Sequence, residues 1–183
     1  MPQAVTHFLF AALLVALFRD YYLKKRNKKH FPLHYVFIGG IGGVLPDIDF
    51  AVFWFFQLMG KTVWEVHRGL THTLLFATIF IVLGLMLRGL KKKDYVNHHR
   101  MKLSIICTLL AFGILAHIFL DYILFGNTTN LLYPFMQHPS IGLNLTQYIP
   151  TEVIGIFFAT LDGIFLMIWL IYLETKHKIS DFI

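Results

Sequence analysis

Three short stretches of the sequence place histidines and carboxylates inside or beside strongly apolar runs. They are Leu45-Pro46-Asp47-Ile48-Asp49, His67-Arg68-Gly69-Leu70-Thr71-His72 and His117-Ile118-Phe119-Leu120-Asp121, and a separate histidine stands at His7. Ionisable side chains within membrane segments are costly and usually mark a functional site. Neutral imidazole and carboxylate oxygen suit zinc and other first-row divalent ions. These residue types therefore indicate a divalent-metal site.

The spacing within each stretch limits what it can do. His117 and Asp121 are four positions apart, so both project from one face of a helix. They can provide two ligands to one ion or form a buried hydrogen bond between helices, and the pair alone leaves both interpretations open. His67 and His72 are five positions apart, which is awkward on one helix unless the glycine between them makes a turn.

Two of the polar residues also have a possible structural role at a helix start. Thr71 can cap the helix that follows it, and Asp47 can cap a short helix after Pro46. Capping needs only one carboxylate, so the second one, Asp49, favours a site at this position.

The composition indicates an integral membrane protein. Of the 183 residues, 57% are apolar and 14% are charged, whereas soluble domains have ~45–50% and ~25%. No internal repeat or linker divides the chain, so we expect a single domain over residues 1–183. The net charge of +6 comes from a few basic groups, which we interpret as topology signals that contact anionic lipid head groups rather than nucleic acid.

Five apolar runs predict an all-α, polytopic membrane bundle with about five spans. They cover residues 3–23, 33–59, 71–90, 103–125 and 152–173. The first has its basic residues after the apolar core, so we expect a retained span rather than a signal peptide. The second exceeds the ~20 residues that cross a bilayer and contains Pro46. We therefore predict a helix up to Val44, a break at residues 45–49 and a short helix from Phe50.

The distribution of basic residues predicts the orientation. Fourteen of the 16 Lys and Arg fall on one side of this arrangement, and only Lys61 and Arg68 fall on the other. The positive-inside rule then places the amino terminus outside the cell membrane and the carboxyl terminus in the cytoplasm. The orientation depends on Lys and Arg alone, yet it also gathers the histidines and aspartates in the outer third of the membrane.

As an ordered set, these motifs resemble the YdjM-like family of membrane-bound, metal-dependent hydrolases. The resemblance runs from His7 to about Pro134 and implies a helical membrane fold with a metal site. The motifs are similar, more weakly, to the zinc-dependent phospholipase C and P1 nuclease group. That group implies an aspartate that bridges metals, here Asp47, and a later glutamate whose place Glu152 or Asp162 would have to take.

The combined expectation is a metal-dependent hydrolase acting on a phosphoester of a lipid or lipid-linked substrate at the outer face. We expect one or two divalent ions, most readily zinc, and the predicted ligands are His7, Asp47, His67, His72, His117 and Asp121. Asp49 is predicted to act as a base or as the partner of a ligating histidine. Arg68 is predicted to stabilise charge on phosphoryl oxygens, or to contact a head group.

A non-enzymatic protein is the alternative. The polar cluster would then form part of an ion pathway, with Asp20 and Asn27 as its possible inner members, or the metal would only tie the helices of a scaffold or regulator together. An open coordination position favours catalysis and a closed ligand shell favours structure.

Overall fold

The computed structural model describes residues 4–23, 31–60, 70–89, 95–96, 101–126, 131–132 and 143–177. Over these residues the chain is mostly helical, as predicted. The α-helices are α1 (Ala4–Leu17), α2 (His34–Val44), α3 (Asp49–Gln57), α4 (Leu74–Gly89), α5 (Leu103–Phe125) and α6 (Ile154–His177). A π-helical turn (Phe18–Tyr22) extends α1, and 3-10 turns span Leu45–Ile48, Leu70–His72 and Leu145–Tyr148. Two short antiparallel strands, β1 (Tyr95–Val96) and β2 (Met101–Lys102), precede α5.

The second apolar segment is broken where the sequence predicts. Helix α2 ends at Val44, a 3-10 turn carries Pro46 and Asp47, and α3 begins at Asp49. Proline lacks the amide hydrogen of an α-helical ladder and restricts the residue before it. The break therefore puts two carboxylates at the exit of α2 instead of inside a continuous helix.

Within the described part of the chain, three helical segments are long and apolar enough to cross a membrane. They are Ala4–Tyr22, Leu103–Phe125 and Ile154–Lys176. The other two predicted spans correspond to the broken pair α2 and α3 and to α4, which has 16 residues. For these two segments the count of five spans stays a prediction.

Helix α5 forms the centre of the bundle. It packs against α1, α2 and α4, and 56% of its most apolar stretch is buried. Helix α6 contacts α1, but only 6% of its most apolar stretch is buried. Its large exposed apolar side chains are those expected of a helix that faces lipid.

Glycines of α2 allow the helices to approach closely at the end that carries the predicted site. A Cβ atom on Gly43 would lie 2.5 Å from the His7 carbonyl oxygen of α1. A Cβ atom on Gly42 would lie 2.7 Å from the Leu110 carbonyl oxygen of α5. Small residues four apart on one face, here Gly39 and Gly43, are the usual means by which membrane helices bring their backbones together.

Candidate metal centre

Five of the predicted site residues meet at one end of the bundle. His7 lies in the first turn of α1, Asp47 in the 3-10 turn after α2, and His72 in the 3-10 turn before α4. His117 and Asp121 lie near the carboxyl end of α5. Because α1 and α4 begin at this end while α2 and α5 finish there, the chain direction alone brings the five side chains together.

Carboxylate oxygens of Asp47 and Asp121 both lie near the facing imidazole nitrogens of His72 and His117. The Nε2 atoms of His72 and His117 are 3.2 Å apart. Oδ1 of Asp47 lies 3.5 Å from the first and 3.7 Å from the second. Oδ2 of Asp121 lies 4.0 Å and 3.7 Å from the same two atoms. Neighbouring ligands on a tetrahedral zinc ion, with bonds of ~2.0–2.2 Å, are separated by ~3.3–3.6 Å.

The backbone of α2 fixes the protonation of His117. Its Nδ1 atom lies 2.7 Å from the carbonyl oxygen of Gly43. A carbonyl oxygen only accepts, so Nδ1 must carry the hydrogen, and in the neutral ring Nε2 is left with a lone pair. That lone pair faces the centre of the cluster.

A pair of hydrogen bonds fixes His72 in the same tautomer as His117. Thr71 donates its hydroxyl hydrogen to Oδ2 of Asp49 over 3.1 Å. Nδ1 of His72 lies 3.1 Å from the Thr71 hydroxyl oxygen and 3.7 Å from the Asp49 carboxylate. Since the hydroxyl hydrogen already points to Asp49, Nδ1 donates to the hydroxyl oxygen. The Nε2 atom of His72 therefore also presents a lone pair.

This arrangement suits a cation. Two neutral imidazoles cannot hydrogen-bond through a pair of acceptor nitrogens, so Nε2 atoms 3.2 Å apart repel each other unless a cation or a shared proton lies between them. His72, His117 and Asp121 are 0%, 1% and 3% exposed, which removes water as the compensating partner. Among the described residues, the buried Oδ1 of Asp121 and Nδ1 of His7 also find no hydrogen-bond partner.

Two overlapping sets of side chains can hold a metal ion. One comprises His72, His117 and Asp121, and the other comprises His7, Asp47 and His117. His7 also stacks on His117, with ring centroids 3.8 Å apart, and its Nε2 atom lies 3.4 Å from Oδ1 of Asp121. Both sets use His117, whose Nδ1 atom is already bonded to Gly43, so they share a single available nitrogen.

The predicted capping roles are wrong for both residues. Thr71 lies in the 3-10 turn, and the residue that caps α4 is Thr73, whose hydroxyl oxygen accepts from the Phe76 amide at 3.3 Å. No side-chain cap bond forms at the start of α3, so Asp47 does not act as its N-cap. Thr71 and Asp47 both face the histidines instead.

The remaining acidic candidates lie outside the cluster. The Asp162 carboxylate of α6 accepts hydrogen bonds from the amide and hydroxyl of Thr6 and so caps the first turn of α1. Glu152 is exposed and accepts from Thr151. Neither takes the place of the later glutamate. His67 and Arg68 lie outside the described residues, so their predicted roles stay predictions.

Two contributors to the site were not predicted from the sequence. The Gly43 carbonyl and the Thr71 hydroxyl orient the two histidines, and neither belongs to a recognisable ligand motif. The small residues at Gly39 and Gly43 are a usable signal for close helix packing. Next to Pro46, however, the same glycine-rich run also fits a break in the segment, and the sequence alone favours that interpretation.

Comparison with known proteins agrees with this membrane fold. The family model described as YdjM inner membrane protein matches residues 1–180. No curated protein and no solved structure matches the chain. The match covers almost the entire sequence, including every residue of the cluster, and the chain therefore belongs to the YdjM inner membrane protein family.

Proposed function

We propose that the protein is a membrane-embedded metal-dependent hydrolase that acts on a phosphoester of a lipid or lipid-linked substrate. The observation that carries this proposal is the convergence of two imidazole nitrogens and two carboxylate oxygens beside an apolar groove. The ligand set has no thiolate, and mixed histidine and carboxylate sets with an accessible position are typical of catalytic zinc.

Access to the cluster favours a lipid substrate. Asp47 is the most exposed of the clustered ligands, with 19% of its side chain accessible. It lines an open cavity of about 480 Å³ together with apolar residues of α1, α2 and the following turn: Phe8, Ile41, Val44, Leu45 and Ile48. Ile41 and Ile48 are exposed on the outside of the bundle. An apolar chain lying in this groove would bring its head group to Asp47.

The shared nitrogen of His117 supports one ion rather than two. A neutral imidazole offers one lone pair, and the His117 lone pair is needed by both sets of ligands. We therefore propose a single ion held by His72, His117 and Asp121, which form one of the two sets, with Asp47 beside it at the groove. His7, stacked on His117 and close to Asp121, would keep these two ligands in place.

The protein residues would divide the remaining tasks. A bound divalent ion supplies acidified water and polarises a phosphoryl oxygen. Of the two roles predicted for Asp49, its contact with Thr71 and its position on the Nδ1 side of His72 support that of orienting the ligand. Asp47, at the groove, would meet the substrate. We propose that Arg68 stabilises the phosphoryl oxygens, because guanidinium matches their geometry.

A structural metal in a scaffold protein is the second candidate, and the burial of the cluster favours it. His7, His72 and His117 are each at most 1% exposed, as in a closed coordination shell. An ion pathway has less support. In the described part of the chain, apolar residues of α1 and α5 such as Ala12, Val15 and Leu109 separate the cluster from Asp20.

Turnover by the metal-loaded protein tests the proposal. The purified protein in lipid nanodiscs is given long-chain phosphatidic acid, a lipid pyrophosphate and a phospholipid, each with zinc or manganese. Release of phosphate is measured for the first two substrates, and release of the head group, with or without its phosphate, for the phospholipid. We expect hydrolysis of at least one long-chain substrate and weaker hydrolysis of a water-soluble phosphomonoester.

Substitutions of Arg68 identify the source of the activity. We expect Arg68→Gln to lower kcat by ~10²–10³-fold, the usual effect of removing one group that stabilises transition-state charge, and Arg68→Lys to retain part of the rate. Glu152→Gln is the control, because Glu152 is exposed. A protein that holds its metal but hydrolyses none of these substrates would instead be a scaffold.

A further inference from the structure

The end of the bundle opposite the cluster of histidines and aspartates contains a second cavity, which is basic. It has a volume of about 430 Å³ and lies between α4, α5 and the π-helical end of α1. Its polar lining comes from Arg88, Lys102, Ser104 and Thr108. Among the described residues that line it, none is acidic. The cavity therefore presents two cations to an occupant, while the Thr108 hydroxyl donates to the Ser104 carbonyl oxygen over 2.9 Å.

An apolar cavity continues from the basic one. It has a volume of about 270 Å³ and shares Phe18, Thr108 and Leu109 with its neighbour. The rest of its lining is Val15 of α1 and Phe112 of α5, further along the bundle from the basic residues. The two cavities together form one amphipathic channel, charged at its mouth and apolar in its depth.

The helix packing explains why this channel exists. Gly84 lets α4 approach α5 closely, because a Cβ atom there would lie 3.1 Å from the Ser104 carbonyl oxygen. One turn later along α4, Arg88 is exposed. Lys102 stands directly before α5, where its backbone amide donates to the Tyr35 hydroxyl over 2.7 Å. The backbone beneath the Lys102 side chain is thus tied to α2.

We propose that this channel binds one anionic phospholipid, with its phosphate at Arg88 and Lys102 and an acyl chain against Val15 and Phe112. Basic pockets between membrane helices are suited to anionic head groups. A soluble anion would leave the apolar part of the channel unfilled. The sequence adds Lys91-Lys92-Lys93 shortly after Arg88, and basic runs of this kind attract anionic lipid. This site is separate from the metal cluster and does not depend on the proposed hydrolase activity.

Lipid binding by the whole detergent-purified protein tests the assignment. Native mass spectrometry compares bound dioleoyl phosphatidylglycerol with dioleoyl phosphatidylcholine, in the presence and absence of inorganic phosphate. We expect one tightly held phosphatidylglycerol. In the double variant Arg88→Gln/Lys102→Gln its affinity should fall by about fivefold for each charge removed. Thr108→Phe, which places a large ring where the two cavities join, should also weaken binding.

Four comparisons make the result decisive. Lys102→Arg keeps the charge and should retain the lipid. Lys176→Gln removes a cation of the same end that stacks on Tyr21 instead of lining the channel, and it should have no effect. Equal losses in Lys176→Gln and the double variant would overturn the proposal in favour of non-specific attraction. Retention of phosphatidylcholine to the same extent as phosphatidylglycerol would also overturn it. Phosphate binding that Thr108→Phe leaves unchanged would overturn it as well, because it would indicate an anion site without a lipid chain.

Discussion

At the scale of single residues, the site is defined by which nitrogen of each histidine carries its hydrogen. His117 donates to a backbone carbonyl and His72 to a threonine hydroxyl. Both rings are thereby fixed with Nε2 towards Asp47 and Asp121. Partners of this kind orient a metal ligand and raise its basicity, so the groups behind the histidines matter nearly as much as the histidines.

Asp49→Asn tests the partner role of Asp49. The change keeps the shape of the side chain but removes the charge that anchors the Thr71 hydroxyl, so the His72 ring loses part of its orientation. We expect zinc affinity to fall ~10–100-fold, measured by competition with a chelator. Thr71→Val, which removes only the hydroxyl, should cause a smaller loss in the same direction.

Glu152→Gln provides the charge-matched control, because the same loss of a carboxylate at an exposed position should leave zinc affinity unchanged. If the Asp49→Asn protein binds zinc as tightly as the natural protein, Asp49 does not orient a ligand.

The sequence was sufficient to predict that these histidines and aspartates cluster, because such residues in apolar membrane runs are costly and usually mark a functional site. His72, His117 and Asp121 meet as their types suggested. The partners were not predictable in the same way. Threonine hydroxyls and glycine carbonyls occur throughout the chain, and only the folded geometry shows which of them a histidine contacts.

At the scale of elements, α2 and its exit position the site. Pro46 ends the regular helix and carries two aspartates towards the histidines, and this break could be predicted because proline acts locally. The glycines before it act on neighbouring helices, which the local sequence does not reveal. The predicted cap of α4 differs from the observed one by two residues, since both Thr71 and Thr73 are good capping residues and only tertiary contacts select between them.

Gly43→Ala tests the close packing of α1 on α2. Its Cβ atom would lie 2.5 Å from the His7 carbonyl oxygen and 2.8 Å from the Ala11 Cβ atom, so the helices must separate. We expect a loss of ~1–3 kcal/mol in the free energy of unfolding, followed by denaturation in mixed detergent, together with weaker metal binding because His7 moves.

Gly163→Ala is the matched control, because a Cβ atom there would meet nothing within 4 Å. It should leave stability unchanged or raise it by up to ~1 kcal/mol, the difference in helix propensity between the two residues. Equal destabilisation by the two substitutions would show that the contact at Gly43 is not special.

At the scale of the whole molecule, the cluster and the basic channel lie at opposite ends of one bundle. The structure supports the membrane location through its long apolar helices, while the side on which each end lies rests on the basic residues of the sequence. The predicted orientation puts the histidine and aspartate cluster on the outer face and the basic channel on the inner face. An anionic inner leaflet suits the channel.

Cysteine labelling tests this orientation. In a background with Cys107→Ser, which removes the single native cysteine, we expect Glu152→Cys to react with a membrane-impermeant maleimide in intact cells. Lys176→Cys should react only after the membrane is opened. Glu152 lies just before α6 and Lys176 lies near its carboxyl end, and both side chains are exposed. The reverse pattern would place the cluster on the cytoplasmic side.

The central claim is that His72 and His117 hold a metal ion, and counting the bound metal tests it most directly. Protein purified without chelators is analysed by elemental mass spectrometry as the natural chain and as His72→Ala, His117→Ala and His34→Ala. His34 is an exposed histidine at the other end of α2 and serves as the control. We predict about one divalent ion per chain in the natural protein and in His34→Ala, and loss of most of it in the other two. Unchanged metal content in His72→Ala and His117→Ala would contradict the account.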